Sequence, residues 1–340
     1  MSEPSRPAAR PDDTLPPVEP PSAAFLVQLF VVPAVIVTII IIVWAAIHWL
    51  AQLGNDPQGY VRALRRNNEG RWQVAFNLAG DLRGPGGAAL KNDVGLAGEL
   101  ASILADEVDG GRTKAAGHAG EQARALTGYL CRALGEFSVP EAAPPLAARA
   151  ADSADPQTAQ AAVEALAVLA DNLATAHREF ADPEAVTKAV LQASHSDVDG
   201  LRSAAAFTLG VVGGDAASGR LGQLVDDADD AVRFNAAIGL VRQGRPEAWD
   251  TCAEMLALPD VSPQPGDRQG QAERYRRAMI VVNAIKAVGR FVDATGEEPP
   301  TRIVERVREL HDDAARDVRE SALALAERIG RGRVEKPAER

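Results

Sequence analysis

Apolar residues run almost unbroken from Phe25 to Leu50, Thr38 is the one polar residue between Val35 and Val43, and no charge occurs between Glu19 and Asp56. At about 1.5 Å rise per residue, a helix over this run covers the roughly 30 Å of bilayer hydrocarbon with tilt to spare. Trp44, His48 and Trp49 suit an interfacial belt, and Pro33 is tolerable as an early-turn or kink residue. The pattern predicts a transmembrane helix over residues 23–53. A buried core helix seldom runs this long uninterrupted, and a cleaved signal peptide has a shorter apolar run behind a basic stretch.

From Asp56 and Pro57 onward the period changes to that of amphipathic helices, interrupted by Gly, Pro, Asp and Asn, with no alternating strand pattern. One pattern recurs. Leu201, Arg202, Ala205, Phe207, Leu209 and Gly210 align with Val232, Arg233, Ala236, Ile238 and Leu240, giving apolar residues at i, i+4 and i+8 and arginine at i+1. Val318, Arg319, Ala322 and Ala326 repeat it; Gly70, Arg71, Val74, Phe76 and Leu78 fit it, as do Leu126, Leu130 and Leu134, then Thr158, Ala162 and Leu166, and more loosely Arg276, Arg277, Ile280 and Ala284. Seven second helices follow. Each has a candidate first helix before it, near residues 57–66, 94–108, 140–151, 183–193, 218–227, 246–257 and 300–311. A single such hairpin leaves its apolar stripe in water, whereas a stack joins the stripes into one core.

Three of the turns are aspartate-rich: Asp197-Val-Asp199, Asp226-Asp-Ala-Asp-Asp230 and Asp312-Asp313 precede Leu201-Arg202, Val232-Arg233 and Val318-Arg319. An Asp-rich turn followed by Val-Arg, Ala-Ala and Leu-Gly resembles HEAT repeats, in particular the bacterial lyase-type HEAT-like variety. The resemblance extends over residues 57–330. Repeat two departs from it with Thr127 in place of the arginine, and repeat six lacks the Asp turn. Aspartates in such turns accept hydrogen bonds from the free N–H groups of the next helix, and the arginine just inside can pair with the turn of its own or the adjacent repeat. The expected fold is all-α, an N-terminal transmembrane helix followed by an α-solenoid of about seven hairpins over residues 57–330. Residues 1–22, with seven prolines, and 331–340 are expected to be disordered tails.

Charge sets an orientation and narrows the partners. Arg6 and Arg10 precede the apolar run, and Arg62, Arg65, Arg66 and Arg71 follow it, so the positive-inside rule places the repeats in the cytoplasm of a single-pass cell-membrane protein. Of the net charge of −11, the first fifty residues hold two arginines and four carboxylates, leaving −9 for the rest. That balance disfavours nucleic acid as a partner.

No catalytic constellation stands out, and no catalytic, cofactor-binding or metal-binding residue is assigned. Cys131 and Cys252 sit in apolar helical patterns and read as buried thiols. The aspartate clusters lack EF-hand spacing and read as helix caps. His48, His118, His177, His195 and His311 are dispersed, without the His-Glu pairs of HEAT-repeat di-iron hydroxylases. Gly84-Pro-Gly-Gly87 and Gly110-Gly-Arg-Thr-Lys114 lack a phosphate-loop Gly-Lys-Ser/Thr and read as interhelical loops. The stretches 82–93 and 259–272 read as tolerated disordered insertions, with partner contacts as the alternative. No cofactor and no small-molecule substrate is expected. The expected function is a membrane-anchored scaffold for an unidentified protein partner. The resemblance also implies two alternatives, a bilin-lyase-type enzyme and a nucleic-acid-binding HEAT-like protein.

Overall fold

The computed structural model describes residues 27–53, 56–66, 68–264 and 266–335, so the expected tail 1–22, residues 23–26 of the apolar segment and residues 336–340 lie outside the described residues. The chain divides into two compact units, Met1–Gly54 and Asn55–Arg340.

In the first unit a π-helical turn, Val27–Val31, leads into helix α1, Val32–Leu53. The wide turn sits immediately before Pro33, which has no N–H to donate and whose ring crowds the preceding turn. The lone hydroxyl of the run is satisfied within the helix, Thr38 Oγ1 donating to the Ala34 carbonyl at 2.8 Å. The stretch Val27–Ala46, 20 residues of mean hydropathy 2.9, has none of its surface buried; it is long and apolar enough to cross a membrane.

The second unit is an all-α solenoid of seven helical hairpins, with no strand among the described residues. The first hairpin is α2, Pro57–Arg65, with α3, Arg71–Arg83, followed by the short α4, Ala88–Lys91. The second is α5, Val94–Asp109, with α6, Gly117–Gly135; the third is α7, Ala143–Ala150, with α8, Pro156–Thr175. The fourth pairs α9, Pro183–Ala193, with α10, Asp199–Val212, and the fifth α11, Asp215–Leu224, with α12, Asp230–Arg242. The sixth pairs α13, Trp249–Leu256, with α14, Arg268–Thr295, and the seventh α15, Thr301–Glu309, with α16, Arg316–Glu335.

Local chemistry starts these helices. Asp56, Asp93, Asp155, Asp182, Asp229 and Asp267 each accept a backbone N–H from the first turn of the helix that follows, and Pro57, Pro156 and Pro183 occupy the first helical position, where a missing N–H costs nothing. The repeated apolar positions are the core: Leu201, Ala205 and Leu209 in α10, and Val232, Ala236 and Leu240 in α12, are all at most 2% exposed. Burial of each large aliphatic side chain stabilises by about 1.5–3 kcal/mol, and stacking is what removes both sides of each stripe from water.

Successive second helices pack side by side, and small residues set how closely. A Cβ placed on Gly210 would lie 2.7 Å from Cα of Gly239, and one on Gly135 would lie 2.8 Å from the Ala165 carbonyl oxygen. The first helices stand further apart, with a cleft of about 490 Å³ between α7 and α9. Tight packing in one layer and splaying in the other curve the stack, with the second helices inside.

Four expectations need correction. The fifth first helix starts at Asp215 rather than near 218, because Gly213 and Gly214, at φ of 72° and 90°, turn the chain sharply before it. Residues 82–93 are not a disordered insertion: Leu90 is 3% exposed in the core and the Lys91 carbonyl accepts from Ser138 N at 2.8 Å. The insertion 259–272 gives way to helix at Arg268, where Asp267 caps α14 and Gly270 is buried. Helix α16 runs past the expected boundary at 330 to Glu335, its interior free of proline; the next one is Pro337.

Candidate functional site

Two long surfaces are available, the edge carrying the intrahairpin turns and the inner face of the second helices. The turn edge is occupied by its own ion pairs. Arg202 makes a bidentate pair with Asp227 of the next hairpin, 3.0 Å for each hydrogen bond, and also donates to the Ser196 carbonyl of its own turn at 2.9 Å. Arg233 donates to the Asp227 carbonyl at 3.1 Å and meets Asp230 and, one hairpin on, Glu254. Arg319 donates to the Asp313 and Ala314 carbonyls.

The two irregular repeats solve the same problem differently. In the second, Arg124 takes over by donating to the Thr113 carbonyl at 2.8 Å, while the buried hydroxyls of Thr127 and Thr158 meet at 3.2 Å. In the sixth, Arg277, only 8% exposed, borrows Asp313 from the seventh hairpin at 2.6 Å and the Leu258 carbonyl at 3.1 Å. Arg202 holds the Asp227 carboxyl below its usual range. Burial raises that of Asp313, but hydrogen bonds from Arg277 and the Ala315 N–H outweigh it and lower its pKa. The Asp226–Asp230 run thus serves helix starts and arginines, and no group of three or more metal-ligating side chains occurs among the described residues.

A further knot joins the first two hairpins. Glu107, 1% exposed, pairs with Arg71 at 2.5 Å and with Arg112 at 2.7 Å. Burial raises its carboxyl pKa, yet the hydrogen bonds from Arg112 and Arg71 win and leave it lowered. This places Arg112 of the glycine-rich loop in a structural pair. His118 and Trp72 line the adjoining cleft.

The inner face differs from the turn edge. Each second helix buries the side that meets its partner and leaves residues at the surface along the other: Phe76 in α3, Arg132 in α6, Val168 in α8, Phe207 in α10, Met279 with Lys286 and Arg290 in α14 and Leu323 in α16 are exposed, while Tyr129 in α6, Glu164 in α8 and Ile238 and Arg242 in α12 are half-buried. Phe76 is 54% exposed and Phe207 43%; both stand in the repeat alignment, but off its i, i+4 and i+8 stripe. At the N-terminal end, Tyr129 stacks on Trp72 with centroids 6.1 Å apart, meets Phe76 edge-on at 5.3 Å, and carries the Arg132 guanidinium over its ring at 5.2 Å.

On the opposite edge, where hairpin joins hairpin, a cleft of about 730 Å³ lies beside α9. Its floor is Leu173, Phe180, Leu191, Val211 and Val212; its charged groups, Arg178, Glu179, Glu184, Lys188 and Asp215, are exposed at the rim. Cys131 and Cys252 are buried with no partner thiol, and burial pushes both up to about 12, which removes them as nucleophiles at neutral pH.

No protein-family model matches the chain. No curated protein matches it either. Solved structures with some likeness include human deoxyhypusine hydroxylase, 18% identical, covering 84% of this chain and 98% of that one at a TM-score of 0.32. The complex of CpcE and CpcF of phycocyanin lyase from Nostoc is 16% identical, with coverages of 81% and 94% and a TM-score of 0.37. A designed armadillo repeat protein is 15% identical, with coverages of 80% and 99% and a TM-score of 0.35. Two of these names belong to enzymes and one to a designed repeat protein, and at such identities no activity passes to this chain.

Proposed function

We propose that this chain is a single-pass membrane protein whose HEAT-like repeats, residues 57–330, form a non-enzymatic scaffold on the cytoplasmic side and hold a protein partner along the inner face. The observation that carries the reading is the exposure of an apolar or aromatic side chain on five of the seven second helices, Phe76, Val168, Phe207, Met279 and Leu323, with Tyr129 and Ile238 half-buried on the other two. Isolated exposed apolar residues are ordinary, but Phe76, Phe207 and Ile238 recur at one register, six residues into the repeat, and with charged residues beside them such a surface has the form of a protein-binding one. Anchoring rests on the unburied apolar helix, and the cytoplasmic side on Arg62, Arg65, Arg66 and Arg71 following it.

The test is a mild-detergent pull-down of the full chain against a Phe76→Asp/Phe207→Asp variant. Both residues are exposed, so the variant should keep its helicity and thermal midpoint while losing a partner that the parent retains reproducibly. A variant that keeps every partner would remove the inner face from consideration. For the anchor, the chain should stay with the membrane pellet through alkaline carbonate extraction, and the repeats of sealed, cytoplasm-side-in vesicles should resist added protease; digestion from outside would reverse the assigned topology.

A further inference from the structure

On the inner face of the fifth and sixth hairpins three cations stand without an acceptor. Arg242 is the last residue of α12, and Lys286 and Arg290 lie exposed four residues apart on α14, the helix packed beside it. Among the described residues none of the three has a hydrogen bond or ion pair from its side chain. The part-buried arginines elsewhere in the stack do have one: Arg202 has Asp227, Arg233 the Asp227 carbonyl, Arg277 Asp313, and Arg220 the Ser194 carbonyl at 2.8 Å.

Arg242 is itself half-buried. Burial lowers its pKa, nearby Arg290 pushes the same way, and Asp171 opposes them without forming an ion pair. A partly desolvated guanidinium beside a second cation is a local destabilisation that a bound carboxylate would relieve, and charge-assisted hydrogen bonds of that kind are among the stronger ones available. The same rows supply apolar neighbours, Ile238 one turn before Arg242 and Met279, 43% exposed, two turns before Lys286. Asp171 of α8 bounds this surface on one side, and on the other Arg328 of α16 is already paired with Asp293 and the Gly289 carbonyl of α14, so three uncommitted cations remain, too short a track for a nucleic-acid backbone.

We propose that this surface receives an acidic, amphipathic segment of the partner protein, its carboxylates meeting Arg242, Lys286 and Arg290 and its apolar side chains lying against Ile238 and Met279. The inference rests on the scaffold reading and adds the chemistry of the partner to it.

The test uses the full chain in zwitterionic nanodiscs and the anisotropy of a fluorescein-labelled peptide of repeating Glu-Leu-Glu-Ala. The peptide should bind, weaken as salt rises, and bind about tenfold less tightly to the triple variant Arg242→Gln/Lys286→Gln/Arg290→Gln. A control variant at exposed cations elsewhere, Lys114→Gln/Arg308→Gln, should match the parent. If the triple variant proves misfolded by circular dichroism, Lys286→Gln/Arg290→Gln, both at exposed positions, is to show the same direction of change. Equal binding of a peptide with Gln in place of Glu, or of the triple variant, would overturn the proposal, as would a single-stranded oligonucleotide that binds through the same three cations while the peptide does not. If the Phe76→Asp/Phe207→Asp variant loses its partner while the triple variant keeps it, the acidic-segment inference fails and the scaffold reading stands; if neither loses it, the scaffold reading fails.

Discussion

Gly210 and Gly239 offer a test of how the solenoid curves, because a single methyl group at the first position has nowhere to go. Built on Gly210, it would sit 2.7 Å from Cα of Gly239, whereas carbon atoms in contact lie about 3.5–4.0 Å apart. The obstacle is backbone, so no rotamer relieves it, and α10 and α12 must part by about 1 Å. Overpacking of this kind costs about 1–3 kcal/mol. Alanine also gains about 1 kcal/mol over glycine in a helix interior, so Gly210→Ala should come out between neutral and about 2 kcal/mol destabilising. Gly219, mid-helix in α11, has nothing within 4 Å of the same added atom. There the helix gain stands alone, and Gly219→Ala should stabilise by up to about 1 kcal/mol. The assay is thermal unfolding of the full chain by circular dichroism, each kcal/mol moving the midpoint by about 2–4 °C at this size. A stack of repeats need not unfold in one step, so the comparison between the two variants is what counts. Equal stabilisation by both substitutions would mean that the second helices do not meet at these glycines, and the argument for the inner face would go with it.

Removing the interhairpin pair by Asp227→Asn should destabilise by about 1.5–3 kcal/mol, and a double-mutant cycle with Arg202→Gln should return most of that as coupling; a coupling near zero would reduce the pair to decoration. Glu107, Asp227 and Asp313 all have carboxyl pKa values lowered in the folded chain, so their contribution is complete above the ordinary carboxylate range and disappears as pH falls through the lowered values. The thermal midpoint should therefore be flat near neutrality and fall below about pH 5, less steeply in Asp227→Asn; an unchanged acid limb in the variant would count against that assignment. Cys131 and Cys252 should resist a thiol-reactive dye at pH 8 and react fully in denaturant, and rapid native labelling would contradict their burial.

The spacing of apolar residues was enough to place seven hairpins, because each helix carries its own stripe and its own start signal; Asp155-Pro156 and Asp182-Pro183 announce helices without reference to anything distant. What the repeat alignment left unassigned was the side on which each aligned apolar residue faces. Phe76 and Phe207 sit in the same alignment as Leu78 and Leu209, yet the phenylalanines face outward and the leucines are fully buried. Strict attention to i, i+3 and i+4 would have separated them, since Phe207 lies six residues after Leu201 and so falls off the buried stripe. The partner switch in the sixth hairpin was not legible at all: Arg277 finds Asp313 only because the next hairpin brings it there, across 36 positions of sequence.

The same residue type thus has two fates in this fold, decided by where in the second helix it stands and by its neighbours. An arginine at the start, such as Arg202, Arg233 or Arg319, lies within reach of the turn before it and of the neighbouring turn, and its charge is spent on carboxylates and carbonyls. Further along the outcome depends on the neighbour: Arg83 meets Glu136 and Arg328 meets Asp293 and the Gly289 carbonyl, whereas Arg132, Arg242 and Arg290 have no hydrogen bond or ion pair from their side chains among the described residues. The chain's net charge of −11 therefore misstates what its inner surface presents. Many of its carboxylates are committed to helix starts and turn arginines, while Arg242, Lys286 and Arg290 have no such commitment among the described residues, so a chain acidic as a whole carries a locally cationic surface on its fifth and sixth hairpins.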